Sequence, residues 1–298
     1  MKFSVVIPTR NRLEYLKTAV ASVMAQDCDD WEIDISDNDS TQDVKGYVAS
    51  LNDSRVRYSR TESFISVTEN WNRALDQSRG DYVIVIGDDD CLMKGYFSLL
   101  KKLITKHSQP DLIFSNGLFY VYPGIVECWP DGHLTTVGNW HLWNSKTPLL
   151  LNREKVQELA KAAMNFKLPF SYNLQLLMIH RSLIEKLKFD GRFFHSPYPD
   201  YYAMTLLFQK SEKTLGCPYP SVVVGISPKS FGGYHLRNQE NFGMETLNAG
   251  AESSQYPELE NHILPGKQLN TCWLYALRSV QKNLALSDHL EINVKRYR

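Results

Sequence analysis

An open, mostly parallel α/β sheet flanked by helices is the fold that this 298-residue chain predicts. Two apolar runs, Phe3 to Ile7 and Tyr82 to Ile86, have no polar face and read as strands covered on both sides. Strand-like and helix-like stretches alternate through the first 115 residues, the order that builds a parallel sheet by βαβ steps. Polar segments follow the strands at Thr9-Arg10-Asn11, Asp37-Asn38-Asp39 and Asp88-Asp89-Asp90. In such sheets ligands bind beyond the carboxyl ends of the strands, so these segments are expected to converge on one cleft.

Each element has its own warrant. The first strand is expected to stop at Pro8, and Asn11 to begin a helix with Glu14 as its capping-box partner. Leu13, Leu16, Val20, Val23 and Met24 follow at helical spacing. Trp31, Ile33 and Ile35 alternate with Glu32 and Asp34 as a second strand. Residues 42–51 read as helix, Val56 and Tyr58 as a short strand, and Val67, Trp71, Ala74 and Leu75 as a helical stripe stopped near Gly80. Beyond Asn116 the texture changes. Residues 118–143 are aromatic and turn-rich, 152–164 and 201–210 read as helices, Val222 to Ile226 as a last strand, and 268–284 as a final helix. One domain over 1–230, with halves 1–115 and 116–230, is therefore expected to carry a mostly helical C-terminal extension, 231–298.

Composition narrows the function. Lys+Arg and Asp+Glu both number 33, so there is no basic excess for a nucleic-acid partner. The basic tail Lys295-Arg296-Tyr297-Arg298 reads as a solvated end with a weak pull towards anionic headgroups. Five widely spaced cysteines without a CxxC pair argue against a disulfide framework or zinc site and suit a reducing compartment. No stretch approaches the roughly 18 apolar residues of a membrane helix, and the N-terminal run is too short for a signal peptide. A cytoplasmic protein is expected, at most peripheral at the inner face of the membrane.

Three adjacent carboxylates after a buried strand are costly unless a cation or donor groups offset them. In extended backbone Asp88 and Asp90 share one face and Asp89 takes the other. Paired hard oxygens suit Mg²⁺ or Mn²⁺, which keeps few protein ligands and completes its shell from water and phosphate. A solvated acidic turn in which Asp90 caps a helix explains the same residues.

Three pieces stand in order: Ser4-Val5-Val6-Ile7-Pro8-Thr9-Arg10-Asn11-Arg12, Ile35-Ser36-Asp37-Asn38-Asp39-Ser40-Thr41 and Gly80-Asp81-Tyr82-Val83-Ile84-Val85-Ile86-Gly87-Asp88-Asp89-Asp90. Together they resemble the catalytic domain of inverting family 2 glycosyltransferases, which have the GT-A fold. The resemblance implies a nucleotide-diphosphate sugar donor, commonly a UDP-sugar, and a saccharide or lipid-linked saccharide acceptor in cell-surface polysaccharide or glycoconjugate synthesis. It makes 1–115 the nucleotide-binding half and 116–230 the acceptor-binding half. It places Pro8 and Thr9 beside the nucleobase, with Asp37 accepting from its ring N–H. Asp88 is then on the ribose hydroxyls, Asp89 is counted with the donor-binding residues, and Asp90 is on the metal as in the family's DxD element. Arg10 belongs near the diphosphate or on the surface, and Asp39 behind the site or in an ordinary turn. Two departures stand out. Thr68-Glu69-Asn70-Trp71-Asn72-Arg73 replaces the relatives' Ala-Arg-Asn element, and the turn after Asp37 is one residue longer, so no role carries over to Asp43.

Inverting transfer is a single displacement that needs a cation for the departing diphosphate and a base for the incoming hydroxyl. The resemblance assigns the base to Asp200, in Tyr198-Pro199-Asp200-Tyr201-Tyr202, although Pro-Asp is also ordinary helix-start chemistry. Asp190, before Gly191, is the fallback and suits a turn. Gly232-Gly233-Tyr234-His235-Leu236-Arg237 is expected as a late mobile loop. There His235 is a third metal ligand, a diphosphate contact or a surface residue, and Arg237 is a phosphate clamp. His195 reads as structural. Tyr120, Tyr122, Trp129, Trp140 and Trp143 offer faces to a sugar or fill a core. Two rival functions share these features: a catalytically silent nucleotide-sugar-binding protein, and a metal-dependent phosphohydrolase or nucleotidyltransferase. The second is disfavoured by the lack of a GxxxxGK[ST] loop.

Overall fold

The computed structural model describes residues 1–137, 145–168, 171–264, 269–284 and 291–297. Strand β1 (Phe3–Thr9) is central because it tolerates cover on both faces: Phe3, Val5, Val6 and Ile7 are all fully buried. Parallel to it lie β2 (Trp31–Asp37) on one side and β4 (Tyr82–Val85) on the other, with β3 (Val56–Arg60) parallel beyond β2. The sheet continues through β9 (Leu177–His180), β6 (Leu112–Val121) and β10 (Thr214–Ile226). Because β9 is antiparallel to both β4 and β6, and β10 is parallel to β6, the long strands β6 and β10 run in the direction of β1. Short antiparallel pieces decorate this frame: β5 (Cys91–Leu92) and β8 (Leu149–Leu150) on β10, and β7 (His133–Thr136) on β6.

Helices α1 (Leu13–Met24), α2 (Val44–Ser50), α3 (Val67–Gln77) and α4 (Tyr96–Lys106) fill the steps between the first strands. α5 (Arg153–Met164), α6 (Arg181–Leu187) and α7 (Pro199–Lys210) follow. After residue 230 the described chain is helical: α8 (Phe231–Leu236), α9 (Glu240–Thr246), α10 (Ala249–Ser253) and α11 (Leu269–Asn283). α11 is not a loose appendage. Trp273, Ala276, Leu277 and Val280 join the main core, and Cys272, Leu274 and Tyr275 build a second cluster with Tyr198, Tyr256 and Tyr297. Tyr297 is buried and its hydroxyl accepts from Leu264 N at 3.0 Å, so the basic tail is anchored rather than simply solvated. Arg298 lies outside the described residues. No described helix is long and apolar enough to cross a membrane.

Four local readings change. Asn11 does not begin α1; it takes a left-handed φ of 54° and its Oδ1 accepts from Thr41 N, clamping the β1 loop to the β2 turn. Glu14 makes no capping box and instead pairs with Lys229. Glu32 and Asp34 do not face solvent. Arg57 bridges both at 2.8 and 2.7 Å, and burial still pushes Asp34 up to about 6. The last strand starts eight residues before Val222, because shifts in register around Pro220 absorb prolines that an unbroken strand rejects.

Candidate functional site

A cavity of about 350 Å³ lies beyond the carboxyl ends of β1 and β4, within the range of roughly 300–1,000 Å³ that small-molecule sites occupy. Pro8, Thr9 and Arg10 line it as the chain leaves β1, and Asp88, Asp89 and Asp90 line it as the chain leaves β4. Asp200 and His235 complete the set. Of the residues that the sequence assigns to the donor, Asp37 and Arg237 are missing from the wall.

The acids at 88–90 form a turn, so the expected alternation of an extended strand does not hold. Asp88 and Asp89 converge on Arg12, whose Nη1 and Nη2 lie 3.0 and 2.6 Å from their oxygens. The second oxygen of Asp88 accepts from Thr9 Oγ1 at 2.6 Å, and Asp89 accepts from Ser227 N at 3.1 Å. Asp90 caps no helix: one oxygen accepts from Gly225 N at 2.8 Å and the other from Gly87 N at 2.5 Å. Gly225 is required here, since a Cβ would stand 1.9 Å from Asp89 O. Burial works against the charge of Arg12, but Asp88, Asp89 and Asp90 outweigh it and hold the guanidinium firmly protonated. One cation does not neutralise three acids. Burial pushes Asp88 up to about 6 against the pull of Arg12, and burial with Asp89 raises Asp90 well above the ordinary carboxylate value. Among the described residues no three His, Cys, Asp or Glu side chains are preassembled as a metal site.

Asp37 does not line the cavity. Its carboxylate is fully buried, accepting from Ser40 N and Tyr58 OH, both at 2.9 Å, and it closes the turn after β2. Side chains alternate at a strand end, so it is the next residue, Asn38, that lines the cavity. Asn38 is itself held by Ile65 through both amide atoms. Asp39 sits in a left-handed turn paired with Arg60, and Asp43 caps α2 by accepting from Gly46 N. Arg10 lies 3.7 Å over the Phe64 ring, its Nε buried without a partner among the described residues. Lys229, unremarked in the sequence, adds a further cation to the wall.

The lining also includes the start of α7, which opens with Pro199 and Asp200. Its approach is built by α3. Asn72 Oδ1 accepts from Phe193 N and Phe194 N while its Nδ2 donates to Phe194 O, and Thr68 Oγ1 donates to Ser196 O. These bonds hold Ser196 at a φ of 76°, a conformation that costs a non-glycine residue about 1–3 kcal/mol. The altered 68–73 stretch thus serves two ends, since Asn70 and Trp71 also line the cavity. Asp200 is half-buried and, among the described residues, accepts only from its neighbour Tyr201 N, at 2.9 Å; burial pushes it up to about 6. Asp190 is a left-handed turn residue, and His195 Nε2 faces the carbonyls of Phe189 and Arg192 at 3.1 Å.

The expected late loop is the helix α8, capped by Ser230, and Gly233 lets it pass Ser227 O where a Cβ would stand 2.0 Å away. His235 lines the cavity with Nδ1 2.9 Å from the buried Glu240. Arg237 does not line it; its guanidinium is spent on the carbonyls of Gly233 and Pro228. The expected aromatic platform also moves. Tyr120 and Tyr122 pack on each other and Trp129 stacks on His133, whereas Trp71, Phe119, Tyr198, Tyr201 and Phe231 supply the cavity's rings. Trp140 and Trp143 lie outside the described residues.

Known proteins are similar to parts of this chain and to its fold. A GalNAc(5)-diNAcBac-PP-undecaprenol beta-1,3-glucosyltransferase of Campylobacter jejuni is 38% identical over 102 residues, 33% of this chain and 33% of that protein. A PGL/p-HBAD biosynthesis glycosyltransferase of Mycobacterium bovis is 25% identical over 119 residues, 38% of this chain and 46% of that protein. The chain thus spans less than half the length of each of these two relatives. In fold, S. aureus TarS 1-349 in complex with UDP-GlcNAc superposes with a TM-score of 0.55 over 95% of this chain and 81% of that one, at 16% identity. The family model for glycosyl transferase family 2 matches residues 4–168, more than half of the chain and including the cavity-lining residues 8–10 and 88–90, and to that family the chain belongs.

Proposed function

We propose that the protein transfers a sugar from a nucleotide-diphosphate sugar, a UDP-sugar first of all, to a saccharide hydroxyl with inversion, using Asp200 as the base. The observation that carries this reading is one cavity lined both by an acid and cation set at the strand ends and by a lightly held carboxylate at the start of α7. Asp200 takes the proton from the acceptor hydroxyl, and that oxygen bonds the anomeric carbon from the face opposite the diphosphate. The bond from that carbon to the diphosphate oxygen breaks, and its electron pair leaves with the nucleotide. A carboxylate pushed up to about 6 is ionised near neutrality yet more basic than an ordinary aspartate, which suits this task.

On the donor side, the lining residues Arg10 and Lys229 would meet phosphate charge, and Asn38 rather than Asp37 lines the cavity where the nucleobase would lie. The charge on the acidic turn supports a divalent ion, Mg²⁺ or Mn²⁺, because Arg12 leaves it under-neutralised. Such ions arrive with diphosphate and need few protein ligands, so a preassembled cluster is not required. Asp89 is better placed to hold it than Asp90, both of whose oxygens are taken by amides. His235 fits as a helper, since Glu240 at Nδ1 leaves Nε2 its lone pair, the arrangement that orients metal-binding histidines. When bound, the ion would offset the charge of the departing diphosphate. The setting we infer is the cytoplasmic face of a membrane, in glycoconjugate or polysaccharide assembly, as the relatives' names suggest for them.

The test is nucleoside diphosphate release from UDP-sugars, including UDP-GlcNAc, with and without acceptor. Release that requires acceptor and stops with EDTA supports the reading. Thermal stabilisation by UDP without turnover identifies a silent binder, and release indifferent to acceptor identifies a hydrolase.

A further inference from the structure

The sequence Asn173-Leu174-Gln175-Leu176 carries two amides that nothing above has used. A 3₁₀ turn, Leu174–Leu176, packs against α7, which bears Asp200, and against β6 and β10. Leu174 and Leu176 are fully buried, while the alternate residues Asn173 and Gln175 both line the cavity. Gln175 Oε1 is sealed from solvent and accepts no hydrogen bond within the described structure. Buried amide oxygens nearly always have a partner, so this one points to a group that enters the cavity. Asn173 makes no side-chain cap to the turn it precedes. Each amide offers a donor and an acceptor together, which is the complement of a sugar hydroxyl. Trp71, Phe119 and Tyr201 line the same cavity and offer apolar faces to a sugar ring.

We propose that Asn173 and Gln175 are the hydroxyl-reading pair of the acceptor subsite, binding a saccharide through hydroxyls adjacent to the one that Asp200 deprotonates. The assignment rests on the transferase reading above and adds to it the residues that set acceptor specificity. An ordered water would also satisfy the Gln175 oxygen, but it would not make turnover depend on sugar configuration.

The experiment uses p-nitrophenyl glycosides of glucose, galactose, N-acetylglucosamine and N-acetylgalactosamine as acceptor probes with the full chain and a UDP-sugar. Gln175→Leu and Asn173→Leu are expected to raise KM for the preferred glycoside about tenfold or more and to move the kcat/KM ratio between epimeric acceptors towards one. UDP should still raise Tm in both variants. Should either leucine variant fail to fold, Gln175→Glu and Asn173→Asp, near in shape but unable to donate, are expected to show the same loss of epimer discrimination. Variants with wild-type KM and epimer ranking overturn the proposal. So does a wild-type chain that turns over its donor and is shifted by UDP, yet is stimulated by none of the four glycosides. Absence of both the UDP shift and donor turnover in the wild type overturns the transferase reading itself, and this assignment with it.

Discussion

The carboxylates at 88–90 and the carboxylate at 200 look into one cavity, but the fold treats them in opposite ways. On the donor side every acid is tied: Asp88 to Arg12 and Thr9, Asp89 to Arg12 and Ser227, Asp90 to two backbone amides. Among the described residues the Asp200 side chain has one bond, from the N–H of its own neighbour, and burial raises its pKa against the opposing pull of backbone N–H groups. Fixed carboxylates hold charge in place, whereas a lightly bonded one is free to gain and lose a proton. In the proposed reaction, acids of the same type would serve two purposes, and their partners would decide which.

The comparison breaks most visibly at Asp200. Asp200→Asn is expected to lower kcat about 10²- to 10⁴-fold, the ordinary worth of a general base; near wild-type turnover would move the base elsewhere. Next in size is Arg12→Met, which leaves Asp88 and Asp89 buried without their cation. Breaking a buried pair costs about 3–5 kcal/mol, read as a fall in stability by urea titration; a loss under 1 kcal/mol would show that Arg12 is not what ties them. Asp90→Ala deprives Gly87 N and Gly225 N of their acceptor and should cost about 1–3 kcal/mol for each amide, whereas Asp89→Asn should spare most stability and remove the Mn²⁺-dependent part of UDP binding. The reverse pattern would return the metal to Asp90.

The pH dependence sharpens the contrast further. With Asp200 pushed up to about 6, kcat/KM should climb through that pH to a plateau above it, as the carboxylate ionises. For stability the sign is opposite. The folded chain binds the Asp200 proton more tightly than the unfolded chain, whose carboxyl has the ordinary value of 3.8, so this group's contribution declines as pH rises between 3.8 and about 6. Asp200→Asn should flatten that component in pH-dependent thermal melts. The smallest effect is expected at Arg237→Ala. It loses bonds to two carbonyls, about 1 kcal/mol, with UDP affinity unchanged by calorimetry; a sharp loss of affinity would restore it as a phosphate clamp.

Much of the frame was legible because apolar periodicity is local. β1, β2 and β4 and the polar segments after them stand where the runs of Val and Ile end, and the strand ends do bring Thr9 and Asp88 within 2.6 Å. The errors arose where side-chain direction or distant chain decides. Asp37 and Asn38 differ by one position at a strand tip, and a single step exchanges core for cavity. Arg12 reaches Ser227 across 215 positions of sequence, and Gly225 is required only because β10 returns against Asp89. Neither pairing leaves a local pattern. β9 escaped notice for a related reason: three apolar residues followed by His180 fit strand or helix equally well until their neighbours are known. The α8 glycines suggested a mobile loop, but Gly233 serves close packing inside a capped helix.

The account rests on a division of labour between the two walls, and calorimetric titration of UDP with Mn²⁺ into wild type and Asp200→Asn tests it most directly. Equal affinity in the two proteins, within about threefold, is the predicted result, because Asp200 belongs to proton transfer and not to donor binding. A tenfold or greater weakening in Asp200→Asn, about 1.4 kcal/mol, would place that carboxylate on the donor and contradict the division.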